Sequence, residues 1–314
     1  MKLGTFVTIP ESVMVCGEDV IRIKAPLPFP EPDHINCYVI DAGGKQLLVD
    51  TGMRGSEQAI DAALAQHGVE LGGVVITHGH PDHWGLARRY GDVVLGHADI
   101  RAQLVWGERH RSARDLDGLP PGWSVDSELY DVLADYEKFT LGPPALEPIA
   151  DGSRLGEWEV VLTPGHAPGH ICLYRARDGV LIAGDHLLPK ITPNIHLTEE
   201  MPDAVADYLE SLRRVAGMDV SLVLPSHGDP FGDAAGRAGE LIAHHERRLA
   251  RLEDILRSGG PAGTKELAGQ LFTATIVEPV DLFMAQMETY AHLEYLRRRG
   301  RVAMPEVDVW QAAA

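Results

Sequence analysis

The sequence predicts a layered α/β fold, and three observations carry that expectation. Short β-rich runs alternate with helical stretches in the first third of the 314 residues. Several apolar runs end on a histidine or an aspartate: GVVITHGH at His78 and His80, EVVLTPGH at His166, GVLIAGD at Asp185 and VSLVLPSH at His227. In α/β folds, ligands and reactive groups collect beyond the carboxyl ends of strands, so residues far apart in the chain are expected at one edge. Composition agrees with a globular chain, with 45% hydrophobic and 24% charged residues.

Taken in order, CYVIDAGGKQLLVDTG (residues 37–52) reads as two strands around Asp41-Ala42-Gly43-Gly44, a hairpin signal. The four prolines of PLPFPEPDHIN (26–36) predict a stiff loop that borders a site rather than a central strand. Residues 55–67, with Ile60, Ala63 and Leu64 on one face and Gly68 as a stop, predict a helix. The strand GVVIT follows, then the first ligand cluster, then a helix through Arg89. Residues 106–144 lose clear periodicity around Pro120, Pro121 and Trp123 and read as a surface insertion or as a lid over the site. Residues 234–258 predict a long charged helix stopped by Gly259-Gly260-Pro261. Thr264 then caps TKELAGQLF, VDLFMAQMETYAHLEYLRRRG makes a third helix, and RVAMPEVDVWQ a short hairpin. Two domains are expected, a catalytic one over residues 1–232 and a small winged-helix-like one over 233–314.

Charge and cysteine content exclude several functions. A formal charge of −18 disfavours polyanionic partners, because nucleic-acid binding rests on basic residues neutralising phosphates. Three widely spaced cysteines without a CxxC pattern read as reduced thiols, which suits a cytoplasm. No leader-like segment and no apolar run of about 18 residues is present, so a cytoplasmic protein without a membrane anchor is expected.

The chemistry lies in H-x-H-x-D-H at 78–83. Imidazoles with carboxylates suit zinc or another first-row metal, iron and manganese included, and the lack of thiolates argues against a closed structural zinc site. Alternate positions let His78 and His80 grip one ion, while Asp82 and His83, past the turn at Pro81, face a neighbouring one. Adding His166, Asp185 and His227 gives more donors than one tetrahedral ion accepts, so two divalent ions are expected, with Asp185 as the bridging carboxylate. Such a pair acidifies water and clamps developing oxyanions, which makes hydrolysis the expected reaction. His170 is read as a buried hydrogen-bonding residue. His97, His110, His244, His245 and His292 find no partners in the sequence.

HGHPDH at 78–83, TPGH at 163–166, GD at 184–185 and PSHG at 225–228 together resemble the metallo-β-lactamase superfamily of hydrolases, over about residues 34–230. The resemblance implies an αββα four-layer sandwich. It also implies His78, His80 and His166 around the first ion, Asp82, His83 and His227 around the second, and Asp185 between them. The complete H-x-H-x-D-H is similar to glyoxalase II, lactonase and phosphodiesterase branches. The tail HHERRLARLEDIL resembles the subgroup of β-lactamase-like protein 2, which contains nucleases and acyl-thioester hydrolases.

The expected reaction is hydroxide attack on an acyl carbonyl of a small-molecule substrate. A thioester of coenzyme A, an acyl carrier or glutathione is preferred, because its thiolate departs without a strong general acid. A lactone or other ester would need help from Asp82, while Asp185 holds the ions. A phosphodiester is the next alternative, and a non-catalytic binding protein the last. Trp84 is expected to wall the pocket or pack the core. Lys190, His196 and His34 lie on loops that could face substrate. Arg247, Arg248, Arg251, Arg297, Arg298, Arg299 and Arg301 form a solvated face, a phosphate clamp or a homodimer contact.

Overall fold

The structure is a computed structural model and describes residues 13–16, 19–29, 31–104, 120, 123, 136–272 and 279–313. Its first sheet contains β1 (Val13–Cys16), β2 (Val20–Pro26), β3 (His34–Asp41), β4 (Gln46–Val49), β5 (Leu71–Val75), β6 (Val93–Gly96) and β7 (Ala145–Pro148), hydrogen-bonded in that order. β1 to β4 form an antiparallel meander, whereas β4 to β7 run parallel. The second sheet contains β8 (Arg154–Leu155), β9 (Trp158–Leu162), β10 (Ile171–Arg175), β11 (Val180–Gly184) and β12 (Leu222–Pro225), with only the β11–β12 pair parallel.

The two sheets face each other because alternate positions of each present apolar side chains to a shared core. Tyr38, Ile40, Val49 and Val75 from the first meet Trp158, Val160, Leu173 and Ile182 from the second. The opposite faces are apolar too and are covered by helices. α1 (Glu57–Gln66) buries Ile60 and Ala63 against Ile23, Cys37 and Leu48. Short helices α2 (Pro81–Trp84), α3 (Ala87–Tyr90) and α4 (Arg101–Leu104) extend that layer. α5 (Ala204–Ala216) sets Tyr208, Leu209 and Leu212 on Val161, Cys172 and Leu181 of the second sheet. Helix, sheet, sheet, helix is the expected four-layer order.

α6 (Ala234–Gly259) begins on the second-sheet side, where Ala238 and Leu241 join the same core, and continues past it. Its far half packs Leu249, Leu252 and Leu256 against Leu267 of α7 (Thr264–Leu271) and Leu293 and Leu296 of α8 (Pro279–Arg298). The hairpin of β13 (Val302–Glu306) and β14 (Val309–Ala312) closes this cluster with the fully buried Trp310. Three helices followed by a hairpin match the order read in the sequence.

Some local expectations shift. The proline-rich loop is shorter than 26–36, since Pro26 still pairs with His34 at the end of β2 and the loop proper lies between them. The helix expected through Arg89 is broken into α2 and α3 at Gly85 and Leu86. Thr264 is the first residue of α7 rather than its cap, and its hydroxyl pairs instead with Asp308 in the hairpin turn. Most of the expected insertion or lid at 106–144 lies outside the described residues. Cys37 and Cys172 are buried and free. Among the described residues no helix is long and apolar enough to cross a membrane.

Candidate metal centre

The donors converge where the strands stop. β5 delivers the turn bearing His78 and His80, and Pro81 at the first position of α2 carries the chain into Asp82 and His83. β9 leads to His166, β11 to Asp185 and β12 to His227. Backbone hydrogen bonds stitch this edge: Ile171 N donates to Thr77 O at 2.9 Å and Asn36 N to Ser226 O at 2.6 Å across the sheets, and Ser226 N to Gly184 O at 3.0 Å within the second.

Two groups of donor atoms result. His78 Nε2 and His166 Nε2 lie 2.9 and 3.0 Å from His80 Nδ1. His227 Nε2 is 3.3 Å from Asp82 Oδ2, and His83 Nε2 is 3.6 Å from the same carboxylate oxygen. Asp185 spans both groups, with Oδ2 3.6 Å from His166 Nε2 and 3.7 Å from His83 Nε2, and Oδ1 3.5 Å from His227 Nε2. Each triad His78–His80–His166, His78–His83–Asp185 and Asp82–His83–His227 offers ligand atoms within 4.8 Å of one another. Nitrogens bound at about 2.0–2.1 Å to one tetrahedral ion would sit about 3.3 Å apart, close to these spacings.

Hydrogen bonds on the outer side decide which nitrogen faces inward. His166 Nδ1 donates to Asn194 O at 2.8 Å and His227 Nδ1 to His34 O at 2.8 Å. His83 Nδ1 donates to Asp50 Oδ2 at 2.7 Å. Each bond uses the ring's one neutral-state proton and leaves the Nε2 lone pair aimed into the cluster. His83 Nε2 and Asp185 Oδ1 are buried without a hydrogen-bond partner, a costly state for polar atoms unless a cation meets them. This His/Asp cluster is therefore capable of binding metal ions.

Charge within the cluster follows from the same contacts. Burial works against a cation at His227, but Asp185 and Asp82 outweigh it and raise the ring to about 10. Burial likewise opposes protonation of His83, and Asp50, Asp82 and Asp185 overcome it. Burial alone would raise Asp82, yet His83 and His227 bring it down to about 2. Burial and neighbouring rings hold His78 and His80 well below the ordinary histidine value.

Asp50, which holds the His83 ring, is a residue of the cluster that sequence reasoning missed. It sits in left-handed backbone (φ 58°) directly after β4, and its carboxylate also accepts Thr77 N and Thr77 Oγ1 at 2.8 Å. The signal was present in LLVDTG, another apolar run that ends on an acid. His170 has the buried hydrogen-bonding role expected of it: Nε2 accepts Asp185 N at 3.1 Å and Nδ1 meets Thr163 Oγ1 at 2.8 Å. A Cβ on Gly184 (φ +53°) would stand 2.5 Å from that Nε2, so only glycine lets the ring hold the Asp185 turn.

The expected substrate residues divide. His196 stacks on His80 with ring centroids 6.3 Å apart, beside the first triad. His34 reaches the centre through its carbonyl, while its ring bonds Asp33 at 2.6 Å. Lys190 is exposed on the loop after Asp185. Trp84 packs in the core with Val74, Ile76 and Ala87, and its Nε1 donates to Gly79 O at 2.8 Å, bracing the turn between His78 and His80. Of its two expected roles, core packing is the one observed. Trp84→Phe should leave Gly79 O unpaired and lower the urea-unfolding free energy by about 1–2 kcal/mol.

With that geometry in view, residues 30–227 match the family model described as the metallo-beta-lactamase superfamily, and the chain belongs to that superfamily. It is 30% identical over 307 residues to the protein named probable metallo-hydrolase YqjP of Bacillus subtilis (strain 168), covering 89% of this chain and 92% of that one. A beta-lactamase-like protein 2 homolog of Caenorhabditis elegans is 24% identical over 240 residues, covering 76% and 70%. The crystal structure of a metallo-beta-lactamase family protein from Thermus thermophilus superposes with a TM-score of 0.80 at 30% identity, covering 94% of this chain and 98% of that one.

Proposed function

We propose that the protein is a dinuclear metal-dependent hydrolase of acyl thioesters. His78, His80 and His166 would hold one divalent ion, Asp82, His83 and His227 the other, and Asp185 would bridge them. Zinc suits the nitrogen-rich set, with iron or manganese as alternatives. When bound, such a pair acidifies water and polarises an acyl carbonyl.

The observation that supports the thioester reading is the shortage of proton donors around the cluster among the described residues. His83 and His227, the rings whose surroundings favour a proton, are also metal donors, so a loaded centre leaves neither to protonate a leaving group. His196, beside the first triad, is pushed down to about 4 by burial and by His166, so its ring is neutral at pH 7. A thiolate leaves unprotonated far more readily than an alkoxide. Names of relatives lean the same way. The atrochrysone carboxyl ACP thioesterase of Aspergillus fumigatus is 24% identical over 267 residues, covering 80% of this chain and 72% of that one.

The chain's own part is positioning. Asp50, His34 O and Asn194 O fix three rings, His170 fixes the turn of Asp185, and His196 walls the first triad. A hydrolysis panel of metal-loaded protein should show turnover of acyl-CoA or acyl-glutathione thioesters above that of lactones and of bis-p-nitrophenyl phosphate. Turnover of the phosphodiester alone would overturn the proposal. The net charge of −18 already disfavours a nucleic-acid substrate.

A further inference from the structure

A second buried polar cluster lies between the C-terminal helices, on residues for which the sequence suggests no partners. His245 Nδ1 of α6 is 3.0 Å from His292 Nε2 of α8, and His292 Nδ1 donates to Glu288 O at 2.7 Å. Glu288 Oε1 pairs with Arg248 of α6, and Glu288 Oε2 accepts Asn194 Nδ2 at 3.3 Å. Donor atoms of His245, Glu288 and His292 lie within 4.8 Å of one another, which resembles a metal site. Two facts oppose that use. The guanidinium already pairs with Glu288 and would repel a cation, and His245 Nδ1 and His292 Nε2 are already taken up in one N–H···N bond, which leaves only His245 Nε2 without a partner.

What the cluster does hold is Asn194. This residue lies in a stretch, 192–198, without helix or strand, so neighbouring backbone does not fix its carbonyl. Its Nδ2 is shared between Glu288 Oε2 and Met284 O, both at 3.3 Å, and both acceptors belong to α8. Its backbone oxygen is the acceptor that orients His166. We infer that Glu288, braced by Arg248, positions His166 through Asn194, so that a helix beyond the family-matched residues 30–227 sets the geometry of one metal donor. Outer partners of this kind hold a ligating imidazole in one tautomer and one orientation, and losing them typically costs 10–100-fold in metal affinity or activity. The inference rests on the reading of His166 as a ligand.

The test uses the full-length holoprotein and Asn194→Ala, which removes the tether and keeps the carbonyl. Metal affinity is read by competition with a chromogenic chelator, ligand geometry by the visible spectrum of the cobalt(II)-substituted protein, and catalysis by kcat and KM. One metal equivalent should bind about 10-fold more weakly, the cobalt bands should shift, and kcat should fall with little change in KM. Glu288→Gln should act in the same direction, and the double variant should be no worse than Asn194→Ala alone, because the two residues form one chain of contacts. Wild-type affinity for both equivalents with an unaltered cobalt spectrum in Asn194→Ala overturns the inference, whatever the melting temperature does. His166→Ala separates the two levels: if it keeps both equivalents, the ligand reading itself fails. If it loses one while Asn194→Ala binds both with wild-type affinity, only the positioning role fails.

Discussion

Asp185→Ala should lower bound metal from two equivalents to one or none and cut hydrolysis by more than about 100-fold, beyond the usual cost of losing an outer partner. The expectation follows from how the carboxylate is shared. Oδ1 faces His227 of one group, while Oδ2 faces both His166 and His83, so among the described residues no other side chain stands within reach of donors from both groups through two separate oxygens. Removing it would deny both ions their shared donor and would leave them to repel each other across an unshielded gap. His80→Ala should be milder toward the second group, since His80 contacts only His78 and His166 among the donors. Elemental analysis beside turnover measures both. Unchanged metal stoichiometry in Asp185→Ala would refute the assignment of this residue.

The strand-end rule made most of this centre legible. GVVITHGH, EVVLTPGH, GVLIAGD and VSLVLPSH each showed an apolar run with a donor just past it, and sheet geometry alone then demanded convergence. The long α6 was equally plain, because a capped, charged stretch stopped by Gly-Gly-Pro has few alternatives. What escaped had weaker local signals. β10, ICLYR, is short, begins right after the PGH turn and lacks a donor at its end. α5 begins after Asp203, which gives no side-chain capping bond, and its apolar face is defined only by the sheet it covers. Asp50 ends an apolar run like the others and was still passed over, because its partner, His83, lies 33 positions away in the chain. The Asn194–Glu288 link was unreadable for the same reason: contacts across 94 positions leave no spacing pattern. Helix and strand periodicity reports local faces, whereas the partners of a ligand are set by packing.

Stripped of metal by a chelator, the protein should be most stable near pH 6.5 and should lose stability steadily as pH rises toward 10. In the ion-free protein Asp185 and Asp82 stabilise a proton on His227 against the cost of burial and raise it to about 10, while the unfolded ring titrates near 6.5. A group that binds its proton more tightly when folded contributes fully below the unfolded value. That contribution fades through the folded one, at up to about 1.4 kcal/mol per pH unit per group. His83 is raised by Asp50, Asp82 and Asp185 and adds to the same alkaline window. On the acid side the signs reverse. Burial lowers His78 and His80, so their neutral forms are favoured when folded and stability falls as pH drops below 6.5. Asp82, held at about 2, adds a further loss only below about pH 4. Bound cations take the place of the protons on His83 and His227, so loading at pH 8 should release protons into a weakly buffered indicator solution and should flatten the alkaline decline. Urea midpoints at pH 6.5, 8 and 10, with and without metal, read this directly. A metal-free protein equally stable at all three would mean that the carboxylates do not hold these two rings charged, and that the cluster is not built to exchange protons for metal.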